Sequence, residues 1–298
     1  TALYPARRSA AATTHHPLRD VAHSMDDAGR EAALHLRSIL EGVAAAARYP
    51  PDSANEGHGP DGVPAGDAEA LAAREEQFEV EERRRELFVV LKNVAKLSLN
   101  DALAFVGRQL EGVARHAAAA AAAGAAANGG ERAADGGGAG GGGGTGGGGG
   151  GGEGGCSFQE VEIAVTMLYE LGEGAPEEAY KPGTGGLGQL ALLLLSSGRA
   201  LPRGRHRLVA LAAMEAAVRY ARVLQLQAQQ AAIPGVLSLF LEPGRGLGHP
   251  SADVGTRACY LFSRLVKLLR GSLRPYAGEF LSSLQPHLVT VATVPPPV

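Results

Sequence analysis

Tryptophan is absent from this chain, cysteine occurs twice, and aromatic residues make up only 5% of it. With so few aromatics, the 45% of apolar residues are mostly Ala, Leu and Val, a mix that suits helices packed through many small contacts and speaks against a sheet. Neither Cys156 nor Cys259 has a second Cys or a His at metal-ligand spacing, so a disulfide framework or a zinc site has no basis and a reducing compartment is expected. Long apolar runs are also missing. The longest candidate, "LALLLL", falls far short of the roughly 20 residues a membrane helix needs, and the sequence predicts a soluble chain without membrane insertion. The first residues, "TALYPARRSAAATTHHPLRD", have no apolar core like that of a signal peptide. A first residue other than Met and a ragged "VATVPPPV" end read as a fragment of a longer chain.

Acids become scarce toward the C-terminus. Between Ser24 and His116, 17 acids oppose 11 bases, whereas from Leu201 to Val298 only 4 acids oppose 11 bases, although the whole chain carries a formal charge of -3. The C-terminal third is therefore a basic module, which favours an anionic partner there.

Catalytic motifs are lacking as well. "GTGGLG", Gly183 to Gly188, matches the dinucleotide fingerprint G-x-G-x-x-G, but no strand delivers it and the basic "PRGRHR" stands where a ribose-binding acid belongs. The glycine tract never supplies the G-K-[ST] ending of a phosphate loop. His15 and His16 lie in an irregular end, and His206, His249 and His287 read as isolated surface histidines. Ser196 and Ser197 lack a nucleophile-elbow context. The carboxylates of "EEQFEVEERRRE", Glu75 to Glu86, alternate with arginines at i, i+4 spacing and read as a solvated helix face. Nothing assembles an active site, so no enzyme and no cofactor are expected.

What the chain does have is helical periodicity. Ala33, Leu36, Leu40 and Val43 fall three or four apart; after a Pro- and Gly-rich loop at 49–67, Phe78, Leu87, Val90, Leu91 and Val94 can share a face. Ser98 or Asn100 can cap the helix that follows. An Ala/Gly-rich stretch, 117–155, has almost no side chains to bury and reads as a long disordered insert. Pattern returns with Val161, Val165, Leu168 and Leu171, with Gly172 placed to stop the helix. Helices then follow over 186–196, along the Ala-rich "RHRLVALAAMEAAVRYARVLQ", at "IPGVLSLFL" with Pro234 in its first turn, and at "RACYLFSRLVKLL".

Paired helices recur about every 40 residues, the period of a HEAT-repeat α-solenoid, with a compact helical bundle as the rival architecture. The expected organisation is a disordered tail at 1–23, HEAT-like repeats at 24–116, the insert at 117–155, further repeats at 156–290, and a disordered tail at 291–298. All of it is all-α.

The stretch "RACYLFSRLVKLLRGSLRP", Arg257 to Pro275, carries five bases and no acid. On a helical wheel Val254, Ala258, Leu261, Leu265, Leu268 and Leu269 gather on one side, and Arg257, Tyr260, Arg264 and Lys267 form a stripe opposite. That stripe, with Arg270, is either a row of phosphate neutralisers or a solvated face on which Arg257 pairs with Asp253; Tyr260 is available for stacking or for core packing.

Read together, "FQEVEIAVTMLYELGE", "RHRLVALAAMEAAVRYARVLQ", "AAIPGVLSLFLEPGRGLGHPSADVGTRACYLFSRLVKLLRGSLRPY" and "LSSLQPHL" resemble the middle of the tRNA exportin (exportin-T) family, most specifically from Phe158 to Leu288. Resemblance to these importin-β-like karyopherins implies an all-helical HEAT superhelix. It implies part of a receptor that wraps mature tRNA with the GTP-bound small GTPase Ran, engages nuclear pore proteins, shuttles between nucleus and cytoplasm, and releases cargo after GTP hydrolysis on Ran. Ran contacts are expected mostly outside this segment. Arg257, Arg264, Lys267 and Arg270 are the tRNA-contact candidates. The alternative is a HEAT scaffold or another karyopherin that binds protein cargo only.

Overall fold

A computed structural model describes residues 27–51, 67–129, 156–173, 175–181, 186–225 and 227–293. The expectations for the tail 1–23, for most of the 49–67 loop, for 130–155 of the insert and for 294–298 lie outside them; residues 117–129, expected in the disordered insert, continue as helix, as do 291–293, expected in the disordered tail. Among the described residues there are helices and turns and no strand. The helices are α1 (Asp27–Ala46), α2 (Asp67–Leu97), α3 (Leu99–Gly129), α4 (Phe158–Leu171), α5 (Gly186–Ser196), α6 (Arg207–Arg219), α7 (Ile233–Leu241), α8 (Ala252–Leu268) and α9 (Ala277–Thr293).

Each helix packs on the next but one along the chain. α2, α4, α6 and α8 form one layer, α3, α5, α7 and α9 the other, and α1 packs on α2 and α3. This is the two-layer stacking of an α-solenoid, in which every amphipathic helix buries its stripe on its neighbours. The repeat shows directly in hydrogen bonds between successive pairs. Gln230 to Ser272 spans 42 residues, Gln225 to the Leu268 carbonyl 43, His249 to the Arg205 carbonyl 44, and Arg245 to the Gly198 carbonyl 47. α7, apolar along almost its whole length, lies between α5, α6 and α9 with Ile233, Val236, Leu237, Leu239 and Phe240 buried.

Local signals explain the ends. Ser98 caps α3 by accepting the Asp101 N–H at 3.5 Å. Ser157 and Glu160 close a capping box on α4, each side chain accepting the other's backbone N–H, and that bond holds the Glu160 carboxyl below its ordinary value. α4 stops at Gly172, but not in the left-handed conformation that usually makes glycine a terminator: its φ is -70°. Glycine is needed there because a Cβ would stand 2.5 Å from the Tyr220 hydroxyl. That hydroxyl donates to the Leu168 carbonyl and Tyr180 donates to the Gly172 carbonyl at 2.7 Å, so two tyrosines satisfy the last turn of α4. Burying Tyr220 also ends α6 at Arg219, short of the continuous helix expected, and the chain runs on as a 3-10 turn over Ala221–Gln225.

The stripe of α2 differs from the one expected. Leu91 and Val94 are buried, but Phe78 is 62% exposed and Val90 40%; the inward positions are Val80, Arg84 and Phe88. Arg84, read as part of a solvated face, is 5% exposed and donates to Glu162 of α4 at 2.6 Å and to the Ala47 carbonyl beyond α1. The Tyr49 ring covers its guanidinium at 4.0 Å and Thr166 donates to the same Glu162 oxygen at 2.8 Å. Lys92 ties α2 to Glu170 of α4 and to Glu173 just beyond its end, at 2.7 and 2.6 Å.

His206, expected at the surface, stacks on Phe158 with ring centroids 3.8 Å apart, and both its ring nitrogens are buried without a hydrogen bond. Burial, reinforced by Arg207, Arg203 and His249, lowers its pKa from 6.5 to about 4. Between those values the unfolded chain binds a proton that the folded chain refuses, so stability is full above about pH 6.5 and falls as the pH drops toward 4. His206→Leu is expected to flatten that part of the stability profile, measured by urea unfolding between pH 7 and pH 4; an unchanged slope would assign it to other groups.

Candidate nucleic-acid interface

α8 begins after Ser251 with Asp253 in its first turn and ends with Lys267 in its last, so its charges complement the helix dipole. Val254, Ala258, Leu261 and Leu265 are buried as the wheel requires, and Phe262 joins them, tilted on Phe240 at 5.5 Å and edge-on to Phe280 at 6.3 Å. Leu268 departs from expectation: it is 46% exposed. The helix ends there, and the chain turns so that Leu269 and Leu273 enter the core in its place.

The opposite side presents the four candidates. Arg257, Arg264, Lys267 and Arg270 are all exposed. Arg257 does not pair with Asp253. Its Nε and Nη2 donate to Oε1 of Glu215 on α6 at 3.0 and 2.7 Å, which fixes the guanidinium and cancels its charge. Arg264, Lys267 and Arg270 have no acidic partner within 4 Å among the described residues. They form a ridge of three uncompensated cations. Arg270 continues it to the end of α8, where it and Arg274 rim an open, mainly apolar hollow of about 570 Å³ floored by Val266, Leu273, Ala277 and Phe280.

Such a ridge can do one thing well: replace the counterions of a polyanion. Each phosphate neutralised releases condensed ions, and Arg can bridge two oxygens where Lys acts as a point charge. Glu215 was missed because it lies on another helix. The signal that could have found it is its separation of 42 residues from Arg257, one repeat of the stack. Arg219, stacked on Tyr169 at 3.7 Å, was missed in the same way.

Among the described residues no group of three or more His, Cys, Asp or Glu side chains is placed to hold a metal ion, and no helix is long and apolar enough to cross a membrane. A second hollow, about 290 Å³ between α2, α4 and α6, is lined by Arg84, Glu162, Tyr169, Glu170 and Glu215, which are all engaged in the contacts above.

Residues 152–297 match the sequence profile of the Exportin-T family. Exportin-T of Arabidopsis thaliana is 43% identical over 136 residues, 46% of this chain and 13% of that protein. Exportin-T of Oryza sativa is 38% identical over 133 residues, 45% of this chain and 13% of that protein. Exportin-T of Mus musculus is 38% identical over 134 residues, 43% of this chain and 13% of that protein. The matched stretch thus spans 13% of the length of these curated relatives. It takes in α4 through α9, the helices that carry the cationic ridge, and over residues 152–297 the chain is similar to the exportin-T family.

Proposed function

We propose that this chain is part of a nuclear export receptor that carries mature tRNA from nucleus to cytoplasm with GTP-bound Ran, and that α8 contributes phosphate contacts to the cargo. The observation that carries the reading is the ridge of Arg264, Lys267 and Arg270, exposed on one face and without acidic partners among the described residues. Similarity of residues 152–297 to the exportin-T family supports the export role. Ran engages the receptor mostly through segments other than this one, nuclear pore proteins are further partners, and the receptor shuttles between nucleus and cytoplasm.

Arg264 and Lys267 stand one helical turn apart and away from the buried stripe, so both can neutralise neighbouring phosphates without disturbing the core. Arg257, clamped to Glu215, holds the ridge in place and adds no net charge. Changing Arg264 and Lys267 together to Ala in the full-length receptor is expected to weaken binding of all tRNAs alike and to lower the log-log salt slope by up to about two units, somewhat under one per phosphate. Fold should survive, since exposed substitutions typically shift stability by about 0.5 kcal/mol or less. tRNA affinity with Ran-GTP at two salt concentrations checks it. Equal affinities and equal slopes would return the ridge to ordinary solvated surface and favour a receptor of protein cargo.

A further inference from the structure

We propose that Ser272, in the turn between α8 and α9, is a phosphorylation site for a Ser/Thr kinase that selects basic flanks, and that its phosphate turns the cationic ridge off. The second half rests on the reading of the chain as an RNA carrier; the first half does not. In "RGSLR", Arg270 to Arg274, a base stands two residues before the serine and two after it, and no other Ser or Thr of the sequence is placed so. Lys267 adds a base five residues before it. A kinase groove lined by carboxylates is complementary to that pattern, because each flanking guanidinium meets an acid on its own side of the reacting hydroxyl.

The fold leaves this hydroxyl available where it engages others. Ser98 and Ser157 cap helices, and Ser238, Ser263, Ser282 and Ser283 donate to backbone carbonyls three or four residues earlier at 2.7–3.0 Å. The partly buried Ser272 side chain makes one hydrogen bond among the described residues, accepting from Gln230 at 3.3 Å. Its own proton stays uncommitted. Arg270, Gly271 and Arg274 around it are exposed, and nothing lies within 4 Å of a Cβ added at Gly271, so the backbone has room to swing there. Leu273, 3% exposed, is the side chain that must leave the core before residues 270–274 can extend into a kinase groove. Modification therefore proceeds from a local opening of the turn and leaves α8 folded.

In the reaction the Ser272 oxygen attacks the γ-phosphorus of Mg-ATP. The Oγ–P bond forms, the bond from that phosphorus to the β,γ-bridging oxygen breaks, ADP leaves, and the hydroxyl proton passes to the kinase's catalytic carboxylate. The product carries about -1.5 to -2 charges and three strong acceptor oxygens. Arg270 and Arg274 rim the same hollow and have no acidic partner within 4 Å among the described residues, so the phosphate takes both guanidiniums. The ridge loses Arg270 outright, and Lys267 and Arg264 then stand beside an anion.

The test incubates the chain with Mg-ATP and the catalytic domain of protein kinase C, chosen for its preference for bases on both sides of the serine, and maps phosphate by mass spectrometry. Phosphate is expected on Ser272 ahead of every other Ser or Thr, more slowly than on a free peptide spanning 267–276, and Arg274→Ala should slow it further. RNA affinity of the modified chain at two salt concentrations should show a log-log slope lower by about one to two units, while Ser272→Ala should bind RNA as the parent does and resist the kinase's effect. Phosphate absent from Ser272, or spread evenly over other sites, overturns the modification site. A phosphorylated Ser272 with an unchanged slope overturns the switch alone. Absence of salt-dependent RNA binding by the unmodified chain overturns the RNA reading and the switch with it, while phosphate mapped to Ser272 still supports the modification site.

Discussion

Arg84→Leu is expected to cost the helical stack about 3–5 kcal/mol, because it leaves the Glu162 carboxylate, 4% exposed, without the charge that offsets its burial. The loss should reach beyond the ion pair. Arg84 also donates to the Ala47 carbonyl and lies against Tyr49 and Phe88, so one side chain joins α2 to the end of α1 and to α4. Replacing both partners, Arg84→Leu with Glu162→Leu, should recover most of the loss, since no buried charge then remains. Acid should help the single variant. Burial already pushes the Glu162 carboxyl above its ordinary 4.5, and without Arg84 it rises further; the folded state then takes up a proton before the unfolded state does. The deficit is therefore largest at neutral pH and shrinks as the pH falls toward 4.5. Urea unfolding of the two variants at pH 7 and pH 5 checks this, and a loss below about 1 kcal/mol at pH 7 would mean that the pair is hydrated rather than buried.

The second large effect is expected at Gly246, in the "GLGH" segment that carried part of the family resemblance. Its φ is +43°, and a Cβ there would lie 2.5 Å from the Phe240 Cα and carbonyl oxygen and 2.7 Å from the Leu239 carbonyl oxygen. Both obstacles are backbone, which has nowhere to move. Gly246→Ala should lose about 2–5 kcal/mol from overpacking and left-handed strain together. Gly271→Ala is the control, because nothing lies within 4 Å of the Cβ it would add. Comparable unfolding midpoints for the two variants would show that the turn after α7 can open without cost. The same turn is pinned by His249, whose Nδ1 accepts the Ser251 N–H at 3.0 Å, which leaves Nε2 to donate to the Arg205 carbonyl at 3.0 Å.

How much of this was legible in the sequence depends on whether the deciding contact was local. α5 spans the expected 186–196, α4 buries Val161, Val165, Leu168 and Leu171 as read, and Pro234 sits in the first turn of α7, because periodicity, capping and proline act within a few residues. The α2 stripe was misplaced because a charged residue occupies a core position. An arginine counts as polar on a wheel, and only Glu162, 78 residues on, makes its burial affordable. Exposed Phe78 and Val90 then drew the stripe toward the wrong face. At the interface the cationic side of α8 was readable from its own sequence, but the neutralisation of Arg257 by Glu215 and the burial of His206 against Phe158 belong to the stacking of one repeat on another.

That stacking also bears on kinetics. Bonds that join successive pairs close loops of 42–47 residues, and helices pack on the next one or two along the chain. Closing such a loop demands little more entropy than forming a single hairpin, so a nucleus can arise at any pair and ordering can spread in both directions without waiting for the chain ends to meet. Folding of this segment is governed by the first pair to form rather than by a search for distant partners.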